Sequence, residues 1–243
     1  MSTVARWADL RRFTPARVAL GRAGNALPTA AHLDFQEAHA RARDAVHSVL
    51  DVAALQAALA PGPSFVVRSQ VPDRAAYLLR PDLGRRLAEG TVLPPAPCDI
   101  AVVIADGLCA AGVQRHAPSV LARLLPALRA EGRVVAPPVI ALQARVAIGD
   151  PIGAALAASA VLVLIGERPG LSAPDSMGAY LTWQPRAGRT DAERNCVSNI
   201  RPDGLDYGAA AAKLLWLLGA MFAARLSGVG LKDEQPARGA IGV

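Results

Sequence analysis

The most informative pattern in the chain is an apolar run that ends abruptly in charged and turn-forming residues. Residues 160–165 are all apolar, and Gly166 is followed by Glu-Arg-Pro-Gly at 167–170. A short continuous apolar run with such an ending is typical of a strand that is buried on both faces of a sheet. Because open α/β sheets bind ligands at the carboxyl ends of their strands, the pattern predicts a ligand-binding crevice at this point.

Similar apolar runs alternate with helical periodicity through the second part of the chain. The predicted strands lie within 100–105, 134–148, 160–165 and 179–183, and the predicted helices cover 108–115, 118–130, 151–158 and 206–226. This alternation predicts an α/β fold with a Rossmann-like open sheet in the C-terminal part.

The N-terminal part is predicted to be mainly helical. Thr29 can cap a helix that runs to about Leu50, Asp51 can cap a second helix over 52–59, and Pro72 precedes a third. The proline-rich stretch 94–97 has the composition of a linker. We therefore expect an extended arm over 1–28, a helical region over 29–97, an α/β domain over 98–231 and a flexible tail over 232–243.

Composition narrows the class of protein. The chain has 243 residues, of which 52% are hydrophobic, so one large domain can bury a core. No uninterrupted apolar run reaches the roughly 18 residues of a membrane span, and the N-terminus lacks the apolar segment of a secretory signal. Cys98, Cys109 and Cys196 are too widely spaced for a disulfide framework or a CxxC metal pair. These features predict a cytoplasmic protein that does not bind membranes.

The distribution of charge along the chain does not fit a nucleic-acid-binding protein. The net charge is +6, but the basic residues are mostly dispersed arginines, and no basic block is interleaved with aromatics. An acidic partner or a phosphate-bearing ligand explains this charge better. His32 and His39 share a helix face, yet no Cys or carboxylate cluster accompanies them, so we expect no metal site.

Three polar positions lie at predicted strand ends. Asp106 either faces the crevice or caps the next helix, and the sequence leaves both readings open. Glu167 is followed by residues that do not begin a helix, so its carboxylate is available to a ligand; the alternative is a surface ion pair with Arg168. Arg145 is predicted to end a third strand and to line the same crevice; the alternative is that Val146 and Ile148 simply form one face of that strand.

The segment 188–200 is too rich in polar residues for a core and is predicted to be irregular. Within it, Cys196 would need a nearby base to act as a nucleophile, and nothing connects it to His116, the only histidine in this half. We therefore expect a packing or backbone contact there and no catalytic residue. The motifs GxGxxG, GxxxxGK[ST], GxSxG and HExxH are absent from the sequence, which indicates a subunit that holds a ligand while another protein performs chemistry.

Taken together, these motifs resemble the small (light) subunit of ethanolamine ammonia-lyase. The resemblance keeps its order and approximate spacing over nearly the whole chain. The matching segments are DLRRFTPAR at 9–17, LGR at 20–22, DFQ at 34–36, AHA at 38–40, RDAV at 43–46, ADGL at 105–108, RVAIGD at 145–150, LIGERPGL at 164–171, NCVSNI at 195–200 and SGVG at 227–230.

The resemblance implies one subunit of an adenosylcobalamin-dependent lyase that converts ethanolamine to acetaldehyde and ammonia by a radical mechanism. It implies a large-subunit partner, a TIM barrel that holds the substrate, in a hetero-oligomer where the small subunit closes over the corrinoid. In the family, cobalamin contacts come from the residues that are here Val146, Glu167 and Cys196, and we add their neighbours Arg145 and Arg168. The α/β domain would then be the cobalamin-contacting domain.

The resemblance also leads to an expectation about which groups ligate the cobalt. Base-off cobalamin folds carry Asp-x-His-x-x-Gly, whose histidine ligates cobalt, and here Leu108 stands where that histidine would be. We therefore expect a base-on cofactor with no cobalt ligand from this chain. A stand-alone Rossmann-like nucleotide-binding enzyme and a non-catalytic scaffold or targeting subunit remain as alternatives. Packaging inside a bacterial microcompartment is a further expectation from the family.

Overall fold

A computed structural model of the protein describes residues 7, 9–14 and 16–235. The predicted arm over 1–28 and tail over 232–243 therefore lie partly outside the described residues. The helices are α1 (Thr29–Val46), α2 (Val52–Leu59), α3 (Arg74–Leu79), α4 (Ala110–Ala130), α5 (Gly149–Ala155) and α6 (Tyr207–Ala224). The strands are β1 (Phe65–Arg68), β2 (Cys98–Ala105), β3 (Val139–Leu142), β4 (Ala158–Gly166), β5 (Met177–Trp183) and β6 (Arg194–Ile200).

Within the described residues the strands form a six-stranded open sheet in the order β1-β3-β2-β4-β5-β6. Strands β1 to β4 are parallel, whereas β5 and β6 add to the sheet in antiparallel orientation. This architecture confirms the predicted α/β class, with its sheet mainly in the C-terminal part. The edge strand β1 precedes the proline-rich stretch 94–97, and Phe65 pairs with Val139 of β3, so the sheet extends beyond the predicted α/β domain over 98–231.

The central strands are apolar from residue 100 onward in β2 and from residue 160 onward in β4, because helices cover both faces of the sheet. Along β2, Ile100, Val102 and Ile104 pack in the cluster that contains α4 and α6. The alternate residues Ala101 and Val103 pack on the opposite face with α5. The resulting core fixes the positions of the strand ends, where the polar positions of interest lie.

Two predicted helices, over 108–115 and 118–130, are in fact the single helix α4, with Pro118 and Pro126 inside it. A proline inside a helix removes one backbone hydrogen bond and costs about 3 kcal/mol. Here the buried stripe continues past Pro118, with Val113 before it and Leu121 after it, both at most 1% exposed. Packing of that stripe on the sheet keeps the helix continuous.

The prediction that residues 188–200 are irregular is wrong for most of the segment. Residues 194–200 form the edge strand β6, and a short 3₁₀ helix, Asp191–Glu193, precedes it. Polar Cys196, Ser198 and Asn199 are exposed, as is usual on the open side of an edge strand. The expectation that none of these polar residues is core also fails, because Arg194 is buried.

Helix α1 is shorter and more exposed than the sequence predicts. It ends at Val46, and none of its residues is buried; Leu33, from its predicted apolar stripe, is 56% exposed. Leu50 reaches the core from the segment that follows the helix. The predicted cap of α2 is confirmed, because the Asp51 side chain accepts a hydrogen bond from the Ala54 N–H at 3.0 Å.

Helix α6 is the helix in the described part of the chain that is long and apolar enough, by length and composition, to cross a membrane. It packs against α4 in the main core cluster, where Leu214, Leu217 and Leu218 are at most 3% exposed. The core helix of a globular protein passes the same test of length and composition, and the packing of α6 fits that explanation.

His116, a buried histidine of α4 that contacts α6, is expected to make the folded protein less stable at acidic pH. The His116 Nε2 lies 3.0 Å from the Asp175 carbonyl and must donate to it, so Nδ1 accepts from the Tyr207 hydroxyl at 2.9 Å. Burial lowers the pKa of His116, so the unfolded chain takes up a proton first as the pH falls. The contribution to stability is complete above about pH 6.5 and declines below it, by at most about 1.4 kcal/mol per pH unit.

Chemical denaturation of the wild type and of His116→Gln between pH 7.5 and 5 tests this expectation. The variant should be less stable at pH 7.5 and should show a shallower loss of stability toward pH 5. His47→Gln is the matched control, because His47 is exposed. Equal slopes for the wild type and His116→Gln would contradict the assignment.

Candidate functional site

A cavity of about 440 Å³ opens where β2, β3 and β4 end, which is the edge at which the sequence predicts a crevice. Four of the five predicted site residues line it: Arg145, Val146, Glu167 and Arg168. The remaining lining residues are Tyr77, Leu108, Ile165, Gly166 and Tyr180. The fold therefore brings together residues that are separated by up to about a hundred positions in the chain.

Asp106 has a role that neither of its two sequence readings anticipates. The carboxylate follows β2 and accepts hydrogen bonds from the N–H groups of Gly107 (2.9 Å), Ala144 (2.9 Å) and Gln143 (2.7 Å). The residue that caps α4 is Cys109, whose Sγ accepts from the Gly112 N–H. Burial raises the pKa of Asp106, and the hydrogen bonds from Ala144 and Gln143 offset part of that rise. Asp106 therefore ties the end of β2 to the segment that follows β3.

That segment corrects the predicted position of Arg145 and Val146. They do not end a strand: β3 stops at Leu142, and Gln143 adopts a left-handed conformation with a φ of 52°. The chain then forms a 3₁₀ helix, Val146–Ile148, with Arg145 as its N-cap. The alternative reading, in which Val146 and Ile148 share one strand face, is wrong for the same reason. Both Arg145 and Val146 nevertheless line the cavity, because the turn directs them there.

Glu167 directly follows β4, and its side chain reaches across the sheet to β6. Both carboxylate oxygens lie near the Asn199 N–H, at 3.1 and 3.3 Å, and the Glu167 N–H donates to the Ser176 carbonyl at 3.0 Å. Among the described residues no ion pair joins Glu167 to Arg168, so that alternative is wrong. A carboxylate has about four acceptor positions, and one N–H leaves capacity for a ligand in the cavity. Arg168 is exposed beside it.

Two glycines allow the loops after β2 and β4 to meet at the cavity. A Cβ on Gly166 would lie 1.9 Å from the Cys109 carbonyl oxygen, and one on Gly107 would lie 2.3 Å from the Gly166 oxygen. Gly107 also has a φ of +59°, which favours glycine. The Leu108 N–H donates to the Gly166 carbonyl at 3.0 Å. This backbone contact places Leu108 and Glu167 on one cavity wall.

Cys196, the fifth predicted residue, is not among the residues that line the cavity. It pairs across the sheet with Tyr180, which does line the cavity. Nearby protein atoms that displace water raise the pKa of the Cys196 thiol, and the charge of Glu167 adds to the rise. The thiol is therefore held in its neutral form at neutral pH, which agrees with the expectation of a packing contact rather than a nucleophile.

The sequence did not reveal Tyr77 and Tyr180 as site residues. Tyr180 lies in a strand that was predicted without an assigned role for its side chains. Tyr77 lies in α3, and its hydroxyl donates to the Ala144 carbonyl at 3.1 Å. Burial raises the pKa of Tyr77 to about 12. An aromatic residue at helical spacing is usually part of a core, so only the tertiary structure shows that Tyr77 reaches the cavity.

Comparison with known proteins agrees with the family that the motifs suggest. Residues 4–232 match the family model described as Ethanolamine ammonia-lyase light chain (EutC). The chain is 54% identical to the ethanolamine ammonia-lyase small subunit of Xanthomonas campestris pv. campestris, over 94% of this chain and 88% of the relative. It is 56% identical to that of Bradyrhizobium diazoefficiens, over 95% and 91% of the two chains. With a cavity built from the resembling motifs and matches of this extent, the chain belongs to the ethanolamine ammonia-lyase light-chain family.

Proposed function

We propose that this chain is the small subunit of an adenosylcobalamin-dependent ethanolamine ammonia-lyase. The two-chain enzyme would convert ethanolamine to acetaldehyde and ammonia, with the substrate held by the large subunit and the corrinoid covered by this chain. One observation carries the proposal: in a member of this family, Arg145, Val146, Glu167 and Arg168 line one cavity at the carboxyl ends of parallel strands.

The chemistry of the cavity fits the periphery of a corrinoid. Corrin side chains end in carboxamides, each of which both donates and accepts hydrogen bonds. Glu167 can accept from such a group, and the guanidinium groups of Arg145 and Arg168 can donate to one or to a phosphate oxygen. Val146 and Leu108 provide apolar contact beside them. The cavity therefore has partners for both kinds of polar group on this ligand.

The size of the cavity supports a shared site. Its volume of about 440 Å³ lies within the range of about 300–1,000 Å³ that holds a drug-sized molecule. A corrinoid with its nucleotide tail is considerably larger than such a molecule. Only part of it would fit against this chain, and the rest would contact a partner, which we propose is the large subunit.

The residues at the cavity also suit a cofactor that keeps its own base on cobalt. Leu108 lines the cavity, and a hydrocarbon side chain cannot ligate a metal. We propose that the cobalt ligands come from the cofactor itself and from outside this chain.

When bound, adenosylcobalamin supplies the radical chemistry of the reaction. The residues of this chain would bind and orient one side of the corrinoid and exclude water from it, and we assign no catalytic residue among them. A fixed corrinoid surface can favour the reacting geometry over the resting one. Location in the cytoplasm, inside a microcompartment or outside one, stays a prediction.

The proposal is tested on the complex of this chain with its large subunit. We expect the two chains to co-purify, to bind cyanocobalamin, and to deaminate ethanolamine only when both chains and adenosylcobalamin are present. No complex, or a complex that neither binds cobalamin nor deaminates ethanolamine, would contradict the proposal.

Glu167→Gln should weaken cobalamin binding without preventing assembly. The amide replaces a charged acceptor, whose hydrogen bonds contribute about 1.5–3 kcal/mol, with a neutral one, whose bonds contribute about 0.5–1.5 kcal/mol, so we expect about a fivefold to tenfold rise in the Kd for cyanocobalamin. Glu131→Gln is the matched control, because Glu131 is exposed at the far end of α4. An unchanged Kd in the assembled Glu167→Gln complex would contradict a role for this carboxylate.

A further inference from the structure

We propose that Tyr77 is a positioning residue for the cavity and that it acts by fixing the guanidinium group of Arg145. In this position Arg145 donates to an oxygen acceptor of the ligand, either a carboxamide or a phosphate oxygen. The proposal rests on the proposed function, because the ligand is taken to be the corrinoid. It assigns a role to a residue of the N-terminal part, outside the motifs that define the site.

Tyr77 and Arg145 are connected at two points. The Arg145 Cζ lies 4.2 Å from the centre of the Tyr77 ring, and the Arg145 Nη2 donates to the Tyr77 carbonyl oxygen at 3.1 Å. Tyr77 itself is fully buried, and its hydroxyl bond to the Ala144 carbonyl joins it to the residue that precedes Arg145. A rigid aromatic ring in these contacts restricts the rotamers that the arginine can adopt.

The backbone around Arg145 is also fixed. The Arg145 N–H donates to the Gly84 carbonyl at 2.7 Å, and a Cβ on Gly84 would lie 2.8 Å from the Arg145 Cγ. The absence of a side chain at Gly84 thus leaves room for the arginine stem. Main chain, stem and guanidinium are held separately, so the direction of Arg145 is determined before a ligand arrives.

Tyr77, Arg145 and Arg74 form a cluster that holds more positive charge than a structural core requires. The Arg74 Cζ lies 4.5 Å from the centre of the same ring, so two guanidinium groups contact Tyr77. The carboxylate whose charge acts on Tyr77 is that of Asp106, and its hydrogen bonds come from backbone groups. In the described residues the buried side-chain atoms without a partner are Arg74 Nη2, Arg145 Nε and Gln143 Oε1.

Two of the three unpaired atoms belong to the arginines of this cluster, and the third belongs to Gln143, which lies two residues before Arg145 in the chain. Buried unpaired groups are rare in native proteins, and each calls for an explanation, such as stored strain, a functional role, or a bound water or ion. The ring attracts both cations to its π face, which compensates for their mutual repulsion. The cluster therefore holds surplus positive charge at the cavity wall, where an electron-rich ligand group would meet it.

The test measures the Kd for cyanocobalamin in the assembled two-chain complex. Tyr77→Leu removes the ring, and we expect its Kd to rise about fivefold to tenfold, the range that a partly buried cation–π contact gives. Tyr77→Phe keeps the ring and should stay within about twofold of the wild type. Arg145→Lys keeps the charge but loses the planar group, so its Kd should rise nearly as much as that of Arg145→Met.

A double-mutant cycle separates positioning from a general structural effect. If Tyr77 acts through Arg145, then Tyr77→Leu should raise the Kd little further in an Arg145→Met background. Full additivity, or an unchanged Kd in Tyr77→Leu, would overturn the proposal. If the Tyr77→Leu chain does not assemble with its partner, the Kd of the Arg145→Lys complex tests the proposal instead. A wild-type Kd in that variant would show that a fixed planar guanidinium is not needed and would overturn the proposal. Failure of the wild-type complex to bind cyanocobalamin would instead contradict the proposed function.

Discussion

Replacing Arg194 by methionine is expected to lower the free energy of unfolding by about 3–5 kcal/mol, because it leaves a buried carboxylate without its partner. The Arg194 guanidinium binds Asp150 through two hydrogen bonds, at 2.8 and 2.6 Å, and also donates to the Thr182 hydroxyl at 2.9 Å. The two charged side chains are only 2% and 5% exposed. Equilibrium denaturation of the isolated chain or of the assembled complex measures the loss.

A second substitution identifies the cause of that loss. In the Arg194→Met background, Asp150→Asn removes the unpaired charge and should recover a large part of the stability. Arg186→Met is the matched control, since Arg186 is exposed and should change the stability by less than about 0.5 kcal/mol. If Arg194→Met costs no more than Arg186→Met, the buried ion pair contributes nothing to stability and the expectation is wrong.

This ion pair shows why part of the sequence was misread. Arg194 stands in a run of polar residues, and nothing local distinguishes a solvated arginine from one that crosses a sheet to meet a carboxylate. Asp150 lies more than forty positions earlier in α5, and only the order of β4, β5 and β6 brings the two together. Long-range pairing of this kind leaves no periodic signal in a single sequence.

The features that were predictable are those with local causes. The apolar run before Glu167 is typical of a buried strand, and the carboxyl ends of parallel strands lie at one edge of the sheet. Asp51 caps α2 because a carboxylate before an apolar helix accepts a free N–H. Glu167 and Arg145 could therefore be placed at one crevice, although Arg145 follows a left-handed turn rather than ending a strand, whereas Val146 and Arg168 were added from the family resemblance.

The positions of Tyr77 and Tyr180 at the cavity could not be predicted in the same way. Tyr77 comes from α3, in the region that the sequence separated from the α/β domain, and Tyr180 comes from an antiparallel strand. Neither residue follows a strand end, so no rule about crevices points to it. The site thus combines residues whose positions follow from strand order with others whose positions depend on long-range contacts, such as the bond from the Tyr77 hydroxyl to the Ala144 carbonyl.

Asp106→Ala is expected to lower the free energy of unfolding by about 3 kcal/mol and to weaken cobalamin binding as well. The substitution leaves the N–H groups of Gly107, Gln143 and Ala144 without their acceptor, at a cost of about 1–3 kcal/mol for each group that stays buried and unpaired. Relief from burying the carboxylate offsets part of this cost. The turn that carries Arg145 and Val146 would lose two of its anchoring bonds, so the Kd for cyanocobalamin should rise together with the loss of stability.

Asp106→Asn separates the two consequences. Its amide oxygen can keep the bonds from Gly107 and Ala144, which share one carboxylate oxygen, whereas its NH₂ group would face the Gln143 N–H. We therefore expect about half the loss of stability and a smaller rise in Kd than for the alanine variant. Because Asp106 is not among the residues that line the cavity, any effect on binding must act through the segments it anchors, which are the turn that carries Arg145 and the Gly107 backbone before Leu108. An alanine variant that is destabilised but binds cyanocobalamin as tightly as the wild type would show that the ligand does not need the turn fixed in advance. An asparagine variant as unstable as the alanine variant would show that the bond to Gln143 dominates the other two.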